Sequence, residues 1–231
     1  MKTFTSIVLI ALCNVMILGQ SSTTTEARLG DMQEFALSPA AKALGIDGKM
    51  QIGLSISSEG KASGIRIYGG PMWPCGANPG DEIDNVRDAV KKYLLASKFV
   101  PATRNGRPIS TDVQITFLLS DSFKNARDHK LIEENLAKGI NPPLVDIPNI
   151  SQRVVDIPRQ LSALGNSISA RLSEVQILVD EKGDVIAAGG FRIDPRFLSE
   201  ARNLACRAKF KPLTINQKPV RMTGTLMFEL Y

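Results

Sequence analysis

KFVPATRNGRPI (Lys98–Ile109) and KFKPLTINQKPV (Lys209–Val220) are nearly the same twelve residues, written 111 positions apart. Six positions are identical: Lys, Phe, Pro, Thr, Asn and the second Pro. Two more are conservative, Arg107 for Lys218 and Ile109 for Val220. Phe99 and Phe210 stand where a helical pattern ends. Pro101 and Pro212 cannot continue a helix, and they push the residue before them to extended geometry. Asn105-Gly106 and Asn216-Gln217 are turn chemistry. Pro108 and Pro219 open a strand, where a missing N–H is tolerated. The phrase is a helix-to-strand connector, and Phe99, Pro101, Pro108, Phe210, Pro212 and Pro219 are structural residues in it.

The repetition extends outward on both sides. Upstream, Met50, Ile52, Leu54 and Ile56 alternate with other residues, as do Val175, Ile177 and Val179. That is the period of a half-buried strand. Each strand runs into a polar turn, SSEGK around Gly60 and DEKGD around Gly183, and a second strand ends in Gly69-Gly70 or Gly189-Gly190. These are β-hairpin signals. A helix follows in each case. Ile83, Val86, Val90, Tyr93 and Leu94 share one face; Leu198, Ala201, Ala205 and Ala208 share another, with Pro195 suited to a first helical turn. Beyond the connector, Val113, Ile115, Phe117 and Leu119, then Leu226, Phe228 and Leu230, alternate again. The expected fold is α+β: two repeated β-β-α-β units, each a small antiparallel three-stranded sheet with a helix packed on one face.

A chain of 231 residues suits one or two domains at about 150 residues each, and the duplication favours two. Residues 37–120 form the first expected domain and 153–231 the second. Residues 121–152 read as a linker with a short helix, with Phe123, Ala126 and Leu136 as apolar points and Gly139 as a stop. Pro142-Pro143 and a VDIP echo at 145 and 155 follow. Residues 21–36 read as a flexible N-terminal segment. Before it, Lys2, the apolar run Ile7–Leu18 and the small polar GQSSTTTEA read as a signal peptide over residues 1–20, cleaved near Gly19 or Gln20. The run is short for a membrane span, which needs about 20 residues. The expected location is periplasmic or secreted, with membrane contact only if the segment is retained.

Cys75 and Cys206 remain after cleavage. Disulfides persist outside the cytosol, and an even pair permits one bridge. The other reading is two unrelated thiols, with Cys206 packed as a small apolar residue. The formal charge is +5, and residues 152–231 carry 12 Lys+Arg against 8 Asp+Glu. That favours an acidic partner or simply a solvated face. Catalytic signals are poor. The single histidine, His129, sits in the linker, and one His with two Cys makes a poor metal set. GxSxG, HExxH, CxxC and Walker-type patterns do not occur. The chain reads as non-enzymatic, without cofactor, and without the aromatic–basic platform of a nucleic-acid binder. Trp73, flanked by Met72 and Pro74 in the stretch PMWPC, reads as a packed loop anchor or a contact residue.

With these residues in view, each unit resembles the C-terminal domain of TonB, the energy-transducing protein of Gram-negative envelopes. The resemblance rests on VQILVDEKGDVIAAGG with ARNLACRAKFKPLTINQKPVRMTGTLMFEL, and on SPAAKALGIDGKMQIGLSISSEG with KFVPATRNGRPISTDVQITFLL. It covers about Leu37–Leu119 and Asp156–Tyr231. The lead-in Tyr-Pro of many members is Ser38-Pro39 and Ile157-Pro158 here. The usual Trp before Lys-Phe is Ser97 and Ala208, and PMWPCGANPGDE (71–82) is an insert. The resemblance implies a module that binds an extended peptide, such as an outer-membrane receptor segment, by adding it as a strand to a sheet edge. The expected docking strand is Met222, Thr223, Gly224, Thr225, Leu226, Met227 and Phe228. The prolines are scattered, so the proline-rich spacer of a transducer is missing. Three readings stay open: a diffusible peptide-binding module of transport or envelope assembly, a membrane-anchored transducer component, and a structural tandem domain whose edges pair with each other or within a homodimer.

Overall fold

A computed structural model describes residues 23–30, 35–139, 143–147, 150–156, 171–193 and 195–230. The expected signal peptide lies outside the described residues. Among those described, no helix is long and apolar enough to cross a membrane. The architecture is mixed α+β, with several small sheets, mostly antiparallel.

Chain order begins with two short strands, β1 (Thr24–Thr25) and β2 (Arg28–Leu29), and a one-turn helix α1 (Pro39–Ala43). The hairpin β3 (Lys49–Ile56) and β4 (Ala62–Gly69) follows, then β5 (Trp73–Pro74) and helix α2 (Glu82–Ala96). The connector supplies β6 (Phe99–Val100), β7 (Ala102–Arg104) and β8 (Arg107–Ile109), and β9 (Thr111–Leu118) closes this part. The first sheet has the order β4-β3-β9, antiparallel throughout. Met50, Ile52, Leu54 and Ile56 point from β3 to one face, where Ile83, Val86, Val90 and Leu94 of α2 meet them in one core. The opposite face is polar, with Gln51 bonded to Thr116 and Ser55 to Asp112.

The expected linker is built into the fold. It holds α3 (Asp121–Lys124), a 3-10 turn (Asn125–Arg127), α4 (His129–Ala137), β10 (Leu144–Asp146) and a second 3-10 turn (Ile150–Arg153). The chain ends with β11 (Val154–Asp156), β12 (Arg171–Val179), β13 (Val185–Arg192), α5 (Pro195–Arg207), β14 (Lys209–Phe210), β15 (Leu213–Ile215) and β16 (Lys218–Leu230). The second sheet has the order β10-β16-β12-β13-β5. Its three long strands, β13, β12 and β16, are antiparallel neighbours; β5 and β10 join them from elsewhere in the chain. Ala201, Ala205 and Ala208 press on Val175, Ile177, Met222 and Leu226 to form its core.

Both hairpins close by the same chemistry. Ser57 Oγ accepts from the amides of Glu59 and Lys61, and Asp180 Oδ1 accepts from those of Lys182 and Asp184. These are side-chain turns of the kind Ser and Asp favour. The turn glycines then seat against the connector. Phe99 N donates to Gly60 O at 3.0 Å and Phe210 N to Gly183 O at 2.9 Å. A Cβ on Gly60 would stand 2.1 Å from Phe99 O, and one on Gly183 2.0 Å from Phe210 O. So the repeated Phe fixes both the helix exit and the hairpin turn, with its ring buried.

The segment expected to be flexible is pinned. β1 pairs with β7 and β2 with β6, both antiparallel. Phe35 then stacks edge-on against Tyr93 and Phe117, with ring centroids 5.3 and 5.2 Å away. The connector exposes backbone edges and the N-terminal residues satisfy them, which overturns flexibility for Thr24–Leu29.

Candidate functional site

β16 lies inside the second sheet. It pairs with β12 from Arg171↔Leu230 to Val179↔Met222. On its other side β10 runs parallel to it, with Leu144↔Arg221, Val145↔Met222 and Asp146↔Thr223. Ile147 N donates to Thr223 O at 2.8 Å, extending the contact. The expected open edge is therefore closed at Met222 and Thr223. The cause is the apolar linker. Val145 buries itself with Ile132, Leu136 and Val220. The carboxylate of Asp146, 4% exposed, is held by Lys49 Nζ at 2.8 Å and Arg127 Nε at 2.5 Å.

The remaining docking residues divide by direction. Met222 and Leu226 point into the core under α5. Gly224 lies beneath Ile147 and Ile150, where a Cβ would meet Ile147 O at 2.6 Å. Thr223 Oγ1 donates to Ile177 O. Because Thr223 C=O points to β10, antiparallel alternation turns the main-chain groups of Thr225 and Met227 the same way. Met227 is 54% exposed. The side chain of Phe228 lies outside the described residues, as does that of His129, whose backbone opens α4.

The insert is the second addition. Residues 70–75 run along β13: Gly70 N donates to Gly190 O, Trp73 and Pro74 pair with Ala188 and Ala187, and Cys75 N donates to Ile186 O at 2.8 Å. Cys75 and Cys206 form a disulfide, with Cα atoms 5.7 Å apart, tying this strand to α5. Arg202 completes the clamp. It is 6% exposed, its guanidinium lies 4.3 Å over the Trp73 ring, and it donates to the carbonyls of Ala188, Trp73 and Pro74. Burial pushes the Arg202 pKa down from its ordinary value; an arginine nonetheless keeps its charge at neutral pH. Trp73 is thus an anchor. Sequence could not single out Arg202, which shares an amphipathic helix with two other arginines, Arg196 and Arg207.

These additions bury the face of the second sheet opposite α5. Gln176, 1% exposed, accepts the Lys49 amide at 3.0 Å. Met72, Phe123 and Ala187 pack there with Leu118 and Leu178. Among the described residues, no strand pairs with the outer edges of β4 and β9 in the first sheet. A groove of about 1470 Å³ follows β9, lined on one side by residues 111–120 and on the other by residues 24–29 and 35–37.

Comparison with known families finds no matching family model, and comparison with curated proteins finds no significant relative.

Proposed function

We propose that this chain is an exported, non-enzymatic interaction module of the bacterial cell envelope that binds an extended peptide by strand addition. In this reading residues 37–120 and 153–231 are two copies of one β-β-α-β unit, similar to the TonB C-terminal domain. The signal-like N-terminus and the Cys75–Cys206 disulfide are compatible with the periplasm, where such a bridge persists. One observation carries the reading. The chain already adds short strands, 70–75 and β10, to both edges of its second sheet. Its sheets are thus suited to capturing extended segments through main-chain hydrogen bonds.

The test is an array of extended segments tiled from envelope receptor proteins, probed with the chain lacking residues 1–20. Strand addition requires that N-methylating alternate backbone amides of a bound segment abolishes binding. Binding indifferent to those methyl groups rejects the mode. A second reading, a purely structural tandem domain, is favoured by the filled edges of the second sheet, and it anticipates no captured segment at all.

A further inference from the structure

The two connectors meet differently charged neighbours, and the difference marks a surface. Going beyond strand addition and not resting on it, we infer that the end of the molecule around the first connector, at Lys61 and Lys98, docks on an anionic lipid surface.

The lysines come first. Lys98 opens the first connector and Lys209 the second. Lys98 forms an antiparallel bridge with Lys61, and Lys209 forms the matching bridge with Asp184. Phe99 N donates to Gly60 O and Phe210 N to Gly183 O. Both bridges are therefore non-hydrogen-bonded pairs, the kind that brings side chains closest, with Cα atoms about 4.5 Å apart. At the second connector the pair is neutral. Lys209 Nζ lies 2.5 Å from Asp184 Oδ1, and Asp156 of β11 flanks the same lysine. At the first connector like charges stand directly opposite, which by itself costs stability. The flanking residue there is Gly30, whose N–H donates to Lys98 O at 3.0 Å. A Cβ on Gly30 would stand 2.9 Å from that oxygen, so the backbone leaves no room for a counterpart of Asp156. Lys61 and Lys98 are exposed, and among the described residues neither forms an ion pair. The carboxylate of the same turn, Glu59, accepts from the hydroxyls of Ser57 and Ser58 at 2.9 and 3.1 Å.

Apolar side chains accompany the charge. Lys92, Leu95 and Ala96 share the outward face at the end of α2. Leu95 is 56% exposed, and Val100, two residues past Lys98, is 40% exposed and paired with Arg28 of β2. Arg28 and Lys92 also form no ion pair among the described residues. Four cations, Arg28, Lys61, Lys92 and Lys98, thus stand against two carboxylates, Glu26 and Glu59. The second connector lacks the apolar groups: Cys206, bound in the disulfide, and Lys211 occupy the positions of Leu95 and Val100. Anionic headgroups meet both halves of this surface. Each ammonium or guanidinium near the lipid phosphates is worth about fivefold in affinity, and the aliphatic side chains enter the boundary between headgroup and acyl chain. A dissolved anion would satisfy the lysines and leave Leu95 and Val100 in water.

The experiment sediments the whole chain after residue 20, so that the apolar run at residues 7–18 contributes nothing. The vesicles are phosphatidylcholine alone, or phosphatidylcholine mixed equally with phosphatidylglycerol. At about 0.1 M salt the chain should bind the mixed vesicles at least tenfold more tightly than the neutral ones, and added salt should shrink the difference. Lys61→Asp, which copies the neutral pair of the second connector, should weaken mixed-vesicle binding about tenfold or more while the thermal midpoint holds or rises. Lys182→Asp, the same change of net charge at the other hairpin turn, should leave binding within about twofold. Leu95→Trp should show a blue-shifted emission that resists iodide quenching on the mixed vesicles and not on the neutral ones. Equal binding to both vesicles overturns the anionic surface. Equal losses from K61D and K182D overturn the site and leave net charge as the cause. Inorganic phosphate that shifts the Lys61 and Lys98 ammonium resonances, with no sedimentation, overturns the lipid in favour of a free ion. Absence of sedimentation and of any phosphate shift overturns the inference entirely. Strand addition is untouched by each of these results, because the segment array tests it separately.

Discussion

Matched by their hairpin turns, the two sheets place different residues on the face turned away from the helix. The first carries Gly53, Ser55, Arg66, Asp112, Gln114 and Thr116 there; the second carries Gln176, Leu178, Gly189, Thr223, Thr225 and Met227. Water covers much of the first face. The insert, the linker and the end of the first sheet cover most of the second. The helix-facing residues hardly differ in kind: Ile52, Leu54 and Ile56 against Val175, Ile177 and Val179, all buried. The lesson is that a strand's second face records what the rest of the chain lays on it. Both-face burial turns an alternating strand into a near-continuous apolar run, and VQILV is that run.

Exchange of residues between matched positions breaks this comparison most severely. Gly189 sits under the insert, where a Cβ would stand 2.2 Å from Pro71 O. Gly189→Arg should prevent the insert from docking and cost more than about 4 kcal/mol, seen as loss of a cooperative urea transition. Arg66→Gly, at the matched exposed position, should cost under about 1 kcal/mol. Comparable losses from the two would mean the faces are equally buried.

Removing the bridge comes next. Cys75→Ser with Cys206→Ser frees two points separated by 131 residues, and loops of that size are worth about 2–5 kcal/mol. Thermal melts with and without reductant should differ by that amount for the parent and coincide for the double variant. Hydrogen exchange should rise in β13 and α5 before it rises in β3; the reverse order would place the weak point elsewhere.

Polar residues on the two faces sharpen the contrast on a smaller scale. Gln176→Ala strips the Lys49 amide of its acceptor in a buried place, a loss of about 2 kcal/mol. Gln114→Ala, exposed on the first sheet, should change stability by less than about 0.5 kcal/mol. A denaturation midpoint for Q176A equal to that of Q114A would contradict the burial.

The smallest effect is one of sign. Burial raises the Asp47 pKa above its ordinary 3.8, and hydrogen bonds from Gly48 and Ser120 only temper this. The unfolded chain therefore releases this proton first, so stability falls as pH climbs from 3.8 through the raised folded value and then stays lower. Asp47→Asn should stabilise the protein at pH 7 and make no difference below pH 3. A variant that is less stable at pH 7 would show that the carboxylate's hydrogen bonds outweigh its burial.

Long periodic elements were legible before the structure. Met50–Ile56, Val175–Val179 and α2 announced themselves because several residues repeat a period, and the connector because two prolines bracket a turn. What escaped reading was short. β5 is two residues and one of them is proline; β10 is three, LVD, and pairs in parallel. Neither is long enough to have a period, and their placement depends on partners more than 75 residues away. Asn216-Gln217 shows the same limit at a turn. Both residues take positive φ, 50° and 64°, although Gln lacks the freedom of the glycine at Gly106. The covering of β16 was not legible in the last strand itself. A last strand reads as an edge, and β16 would be one had the linker not closed it.

The disulfide has a consequence for load. Whatever pulls on the two ends of this chain does so through a shortcut: force entering at Cys75 leaves at Cys206 without passing along the 131 residue steps between them. At about 3.4 Å per residue, roughly 450 Å of contour cannot be drawn out while the bridge holds. α2, the β9 edge, the linker and the β12–β13 hairpin all belong to that sheltered length. A tether made of this protein is short and stiff when oxidised, and reduction would more than double its reach.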